Sequence, residues 1–232
     1  VLDGEIDGSR EVLLTKDAQP FLISGSGTLG WDQVSANLVE SGDDVLVLHS
    51  GYFGGGFAAW YAFCFVAPYR YSQVQLRASL KAYGANVTQV NAPVGAAVNP
   101  SQLEGALRQK QYKLVTITHV DTSTGVLSNV KALTEVVRRV SPQTLVCASS
   151  PFFCRPNAEI MSARQVAVDA VCSVASEELK MDEWGVDVVL SASQKGLGAP
   201  PGLSILAASQ RALAVYRARN TPVASYYVSW DK

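Results

Sequence analysis

Three parts of this 232-residue chain carry residue types that could do chemistry together. The first is Lys195, at the end of the run Val188-Val189-Leu190-Ser191-Ala192-Ser193-Gln194-Lys195 and before Gly196-Leu197-Gly198-Ala199-Pro200-Pro201-Gly202. An apolar, strand-like stretch ends there, and the glycines and prolines beyond it are turn residues that hold the lysine in place. A solvated lysine has a pKa of about 10.4 and is a poor nucleophile. In a dry or cationic pocket its pKa falls, and it can form a Schiff base with an aldehyde. The second part is Phe21-Leu22-Ile23-Ser24-Gly25-Ser26-Gly27-Thr28, a short strand running into a glycine-rich turn with a helix-compatible stretch behind it. Backbone N–H groups at such a helix start, with the Ser26 and Thr28 hydroxyls, make an anion cradle. Gly27 lets the backbone approach the anion closely. The third is Asp169, at the end of Val166-Ala167-Val168. A carboxylate at the end of a buried strand is costly unless a cation meets it.

Pyridoxal phosphate needs a lysine for its aldehyde, an acid for its ring nitrogen and an anion hole for its phosphate. The chain offers them in the order phosphate loop, Asp169, Lys195. The same loop also fits Gly25-x-Gly27-x-x-Gly30, a dinucleotide fingerprint, which wants an acid at the end of the next strand. That strand ends in His49-Ser50, with Asp43 and Asp44 at its start, so the nicotinamide reading is weak.

Several local words, in order, resemble the class V aminotransferases, the group that holds the alanine–glyoxylate enzymes. They are Ser24-Gly25-Ser26-Gly27-Thr28, Gly51-Tyr52-Phe53-Gly54, Thr118-His119-Val120-Asp121-Thr122-Ser123-Thr124-Gly125, Val168-Asp169-Ala170-Val171-Cys172-Ser173, and Ser193-Gln194-Lys195 with Pro200-Pro201-Gly202. The resemblance covers most of Val12 to Trp230. It implies that Lys195 holds pyridoxal 5'-phosphate covalently and that Asp169 pairs with the ring nitrogen. It further implies that Ser26, Gly27 and Thr28 bind the phosphate with Gln194 beside them, that Phe53 stacks on the ring, and that Thr122 bonds a ring substituent. His119, after an apolar strand, reads as a satisfied structural histidine. The implied reaction takes an amino group from L-alanine to glyoxylate, giving pyruvate and glycine. Serine–pyruvate transamination or that of another class V member is the alternative, and a catalytically inactive fragment that only folds or self-associates is the alternative of another class. Small amino acids and 2-oxo acids are the implied substrates, and a homodimer is implied for the full-length protein.

The elements that must position these residues alternate. Strand-like runs are Phe21–Ser24, Val45–His49, Val87–Val90, Leu114–Thr118, Thr144–Cys147, Val166–Ala170, Val186–Leu190 and Leu203–Ala207. Helix-like runs are Leu29–Glu40, Ser79–Tyr83, Pro100–Gln109, Asn129–Val140 and Ser209–Arg219. Pro100 follows Asn99, a good cap, and Asn129–Val140 carries a helical apolar period. The expectation is a three-layer α/β fold: a mostly parallel sheet of about seven strands with helices on both faces. The resemblance makes it the large domain of fold-type-I pyridoxal-phosphate transferases, spanning 12–232, truncated at both ends and lacking the C-terminal small domain.

Two segments, Ala59–Ser79 and Ala148–Ala167, interrupt the family pattern. The second puts Pro151 and Pro156 where a central strand is expected, and proline is excluded from such strands. Both read as inserts lying outside the sheet, translated introns in origin. Arg211, Arg217 and Arg219 read as solvated on a helix, as do Arg138 and Arg139, so none is nominated to bind a substrate carboxylate.

Composition excludes other classes. Net charge is −1 with 17% charged residues, which argues against nucleic acid and anionic membranes. The uncharged part from Phe57 to Ala67 is far shorter than the ~20 residues a membrane helix needs. Four cysteines without Cys-x-x-Cys spacing read as reduced intracellular thiols, and two histidines make a zinc site unexpected. The chain opens with no signal peptide pattern. An intracellular protein is expected; cytoplasm, mitochondrion and peroxisome are not separated by this sequence.

Overall fold

The computed structural model describes residues 2–50, 79–140 and 164–231. The elements are α1 (Leu2–Leu13), β1 (Gln19–Ser24), α2 (Leu29–Leu38), β2 (Asp44–His49), β3 (Asn86–Asn91), α3 (Pro100–Gln109), β4 (Leu114–Thr118), α4 (Val130–Val140), β5 (Gln165–Asp169), β6 (Val188–Ala192), β7 (Leu203–Ala208) and α5 (Gln210–Arg217). One sheet holds seven strands in the order β1-β7-β6-β5-β4-β2-β3. Strands β3, β2, β4, β5 and β6 pair in parallel, and β7 runs antiparallel to both β6 and β1. Hence β1, β2, β4, β5 and β6 all end at the same edge of the sheet.

The central strands are buried on both faces, which is why they read as continuous apolar runs. In β2, Leu46 and Leu48 join one core with Leu103 and Leu107 of α3 and Leu133, Val136 and Val137 of α4. Val45 and Val47 join the other, with Val34 and Leu38 of α2 and Ala212, Leu213 and Tyr216 of α5. The alternation is the two-residue period of a pleated strand. Helix α3 starts as its sequence says: Asn99 Oδ1 accepts the Gln102 N–H and Gln102 Oε1 accepts the Asn99 N–H, each at 2.9 Å, with Pro100 in the first turn. Such a cap is worth about 1 kcal/mol.

Several expectations change. Helix α1 was not legible in the acidic start of the chain; it docks through Leu13, which enters the core, and through Arg10, whose Nε donates to the Ala18 carbonyl at 3.0 Å. Strand β6 begins at Val188, two residues later than expected; Asp187 ahead of it donates its N–H to the Val166 carbonyl and receives Arg138 and Arg211 on its side chain. Of the basic residues expected to be solvated, Arg138 and Arg211 both bind Asp187, and Arg219 Nη1 donates to the carbonyls of Asn37 and Val39 at 3.1 and 2.8 Å. Arg139 and Arg217 are exposed.

The insert ending at Ala167 is also corrected. Gln165, Val166 and Ala167 are fully buried in β5, paired with Leu114, Val115 and Thr116. Arg164 ahead of them is buried, with Nη2 donating to the Leu107 carbonyl. At the end of the other insert, Ser79 opens a helical turn and its hydroxyl donates to Asp32 Oδ1 at 2.8 Å. The remaining parts, 59–78 and 148–163, lie outside the described residues, as do the Thr144–Cys147 strand and Phe53. Among the described residues, no helix is long and apolar enough to cross a membrane.

Candidate active site at the C-terminal edge of the sheet

The glycine loop leaves β1 at Ser24 and is tied at once to the far side of the edge: the Gly25 N–H donates to the Gly202 carbonyl at 2.8 Å. The carbonyls of Ser26, Gly27 and Thr28 then accept the N–H groups of Leu29, Gly30 and Trp31. This tight turn uses those carbonyls and leaves out the N–H groups of the same three residues, the ones a helix start leaves over. Thr28 occupies the cap position of α2 without capping it; its hydroxyl lies 2.5 Å from that of Ser26. There is no room for a side chain at Gly27 or Gly30. A Cβ on Gly27 would lie 2.9 Å from the Ala192 Cβ and 3.1 Å from a Val171 methyl, and one on Gly30 would lie 3.0 Å from the Leu190 Cβ. The loop is thereby pressed against the end of β6 and the turn after β5.

Asp169 closes β5 at the same edge. It is 9% exposed, and its Oδ1 accepts the Val171 N–H at 3.0 Å. Its carbonyl accepts the His119 N–H at 2.9 Å, which fixes the end of β4 beside it. His119 is buried, with Nδ1 2.9 Å from Ser173 Oγ and its ring edge-on to Trp184. Burial pushes its pKa down to about 4, so it is neutral near pH 7. Ser173, a partner that only the folded turn supplies, explains why this histidine is satisfied. Thr122, on the loop after β4, touches Cys172 Sγ with its hydroxyl, so the Thr122 loop also meets the turn after Asp169. Cys172 is a free cysteine.

Lys195 follows β6 on a loop fastened from behind. Ser193 Oγ donates to the Pro200 carbonyl at 2.7 Å, and the Ser193 carbonyl accepts the Ala199 N–H at 3.0 Å. Gly198 takes a left-handed φ of 64°, and its N–H closes a turn onto the Lys195 carbonyl at 2.9 Å. Gly196 lies so close to the Val174 carbonyl and Ser176 Oγ that a Cβ would fall 2.3 and 2.4 Å from them. Lys195 and Gln194 are exposed. The fold thus gathers at one edge the loop of Ser26, Gly27 and Thr28, the carboxylate of Asp169, Thr122 and the loop of Lys195. Phe53 is outside the described residues.

Residues 154–220 match the family model of class-V aminotransferases. Across its length the chain is 38% identical over 218 residues to alanine–glyoxylate aminotransferase 1 of Saccharomyces cerevisiae, covering 91% of this chain and 46% of that protein. The likeness to class-V aminotransferases thus extends over nearly the whole chain. The chain is also 31% identical over 225 residues to the L-aspartate–glyoxylate aminotransferase of Paracoccus denitrificans, covering 96% of this chain and 47% of that one. A solved structure of an alanine–glyoxylate aminotransferase from Nostoc superposes with a TM-score of 0.78 at 28% identity, over 99% of this chain and 50% of that chain. The chain therefore spans about half the length of the relatives it matches. Its fold is shared with the Nostoc structure.

Proposed function

We propose that this chain is the cofactor-binding part of a pyridoxal-phosphate-dependent aminotransferase that moves an amino group from L-alanine to glyoxylate. The observation that carries the reading is the convergence at one edge: Gly27 seats against Val171, just beyond Asp169, and Gly196, next to Lys195, seats against Val174 and Ser176. The residues fit the cofactor. The N–H groups of Ser26, Gly27 and Thr28, at the start of α2, suit a phosphate dianion. Asp169 is a carboxylate for a protonated ring nitrogen, Thr122 offers a hydroxyl to a ring substituent, and Gln194 an amide beside the phosphate. When bound, pyridoxal phosphate supplies the electron sink for charge developing at the amino acid's α-carbon.

The chain's own residues do the rest. The Lys195 amine would hold the cofactor through its aldehyde and would be the base that takes the proton from the amino acid's α-carbon. Asp169 would favour a protonated ring nitrogen through its negative charge. The close-packed glycines fix the anion cradle so that these groups act on a cofactor of defined position. The name of the Saccharomyces cerevisiae relative supports alanine and glyoxylate as substrates.

A second reading, a folded unit that takes up cofactor without turnover, is favoured by the arginines. Arg138 and Arg211 are engaged by Asp187 at the opposite edge and Arg219 by backbone carbonyls, which leaves none of these to grip a substrate carboxylate. The test is reduction of the chain with borohydride in the presence of pyridoxal phosphate, followed by peptide mass spectrometry. A cofactor adduct on Lys195, lost in Lys195→Ala, is expected. An adduct on another lysine, or none, overturns the proposal. Alanine–glyoxylate turnover then separates the two readings.

A further inference from the structure

Four parts of the candidate site meet on one short segment, the turn of residues 170–177 after β5. Gly27 of the glycine loop packs against the Val171 methyls. The Val171 N–H donates to the Asp169 carboxylate. The Cys172 thiol touches the Thr122 hydroxyl. On the far side of that contact the Thr122 loop is shaped by Asp121, whose Oδ1 accepts the Ser123 N–H at 2.8 Å. The Val174 carbonyl and the Ser176 hydroxyl back Gly196, the neighbour of Lys195. The glycine loop, Asp169, the Thr122 loop and the Lys195 loop therefore share one support, and a shift of the turn would move them relative to one another.

The turn's own backbone bonds are local. The N–H groups of Ser173 and Val174 donate to the Ala170 carbonyl, and those of Ser176 and Glu177 to the Ser173 carbonyl. They shape the turn without setting its place against the sheet. The Ala170 N–H, bonded to the Leu190 carbonyl at 3.0 Å, ties its first residue. Its middle is held by a side chain. Ser173 is 0% exposed, and its hydroxyl lies 2.9 Å from Nδ1 of His119, 54 residues earlier in the chain. His119 is fixed in turn. Its N–H donates to the Asp169 carbonyl at 2.9 Å, and its carbonyl accepts the Ser128 N–H at 2.7 Å. Its ring, 3% exposed, stands edge-on to Trp184 with centroids 6.4 Å apart. Loss of a bond so enclosed leaves a buried polar atom unpaired, so the turn must move to find it a partner.

We propose that His119 is a positioning residue: through its bond to Ser173 it fixes the 170–177 turn against the sheet, and so sets the glycine loop, Thr122 and the Lys195 loop about Asp169. The consequence for cofactor uptake rests on the pyridoxal-phosphate reading of those loops; the link itself does not. Alkylation of half-buried Cys172 by iodoacetamide in cofactor-free protein, followed by peptide mass spectrometry, tests the link. Ser173→Ala should quicken it about tenfold, the effect of one buried group left unpaired. His119→Gln keeps the bulk but carries its amide out to the level of Nε2, and should do the same. His119→Asn, whose amide stands where Nδ1 stood, should stay near the wild-type rate. Amide exchange in β4 and β5 should be unchanged in all three. Unaltered alkylation in Ser173→Ala overturns the proposal. So does equal behaviour of the two His119 variants, or a general rise of exchange in β4 and β5, each of which would give His119 a packing role alone. Titration with pyridoxal phosphate adds the second arm: about tenfold weaker uptake by Ser173→Ala and His119→Gln, and uptake near wild type by His119→Asn. If the wild-type chain takes up no pyridoxal phosphate, the proposed function falls while the alkylation result still decides the link.

Discussion

Asp169 and Asp187 are carboxylates of one sheet, at its opposite edges, and they are served in different ways. Asp187, before β6, is 0% exposed. It receives Arg138 Nη2 at 2.7 Å, Arg211 Nε at 2.5 Å, and the Val166 N–H at 2.7 Å. The two guanidiniums also reach the Gly185 carbonyl, so α4, α5 and the start of β5 are clasped at one point. Asp169, after β5, accepts the Val171 N–H and stands at the edge where the glycine loop and the Lys195 loop meet. The difference teaches how one fold separates duties. A buried carboxylate surrounded by its own cations is a structural knot whose charge is used up within the chain. Under the proposed function, a carboxylate set at the ends of parallel strands, where loops converge, would meet a cation that arrives with the cofactor.

The sharpest way to break this contrast is to remove the knot. Asp187→Ala leaves two guanidiniums facing one another without their anion and should cost roughly 3–5 kcal/mol, measured by urea unfolding. A cost under ~1 kcal/mol would mean the clasp is dispensable and the two edges differ little.

The next effect is acid sensitivity at the site edge. The folded pKa of His119, about 4, lies below its ordinary value of 6.5. The unfolded chain therefore takes up the proton first as pH falls. Stability is fully present above pH 6.5 and drains as pH drops towards 4, by roughly 3 kcal/mol in total. His49 shifts the same way through burial. Urea unfolding at pH 7 and at pH 4.5 measures the loss, and His119→Gln should flatten much of it. An unchanged profile in that variant would show that His119 is not the group responsible.

A smaller effect is expected behind Lys195. Gly196→Ala drives a Cβ into the Val174 carbonyl and should cost about 1–3 kcal/mol, with a reduced yield of the borohydride-fixed adduct. Normal yield would mean that the loop has slack and that its close seating does not aim the lysine. The smallest stability change belongs to Asp169→Asn, within ~1 kcal/mol of wild type, yet it should lose most cofactor-dependent turnover in any preparation that is active. If it destabilises as much as Asp187→Ala, the two aspartates are alike and the division of duties fails.

Much of the frame could be read from the residues. The runs Leu114–Thr118 and Val166–Ala170 are rich in apolar residues because parallel central strands are covered on both faces, and they appear within a residue of where they were expected. Pro100 behind Asn99 announced α3 because a missing N–H costs nothing in a first turn. Other features had no local signature. Helix α1 depends on Leu13 finding the core and Arg10 finding the Ala18 carbonyl. Two of the arginines read as solvated, Arg138 and Arg211, are drawn inward by Asp187, which lay within the expected strand run Val186–Leu190. Asp121 did leave a trace: Asp-x-Ser is the pattern of a side chain that bonds the backbone two residues on.

By itself the sequence determined the layered α/β frame and named the groups proposed to hold a cofactor, because apolar period, turn residues and side-chain type are local properties of the chain. The tertiary structure decided which of those groups meet. Gly27 lies against Val171 and Ala192, Gly196 against Val174, His119 against Ser173, and Asp187 between Arg138 and Arg211. Each of these is a contact between strand ends or helices far apart in the chain, set by the strand order and register of the sheet. Burial then made the partners of Asp187 and His119 matter. No spacing along the sequence encodes that outcome, since desolvation acts on position in space and is felt only once the sheet has closed over it.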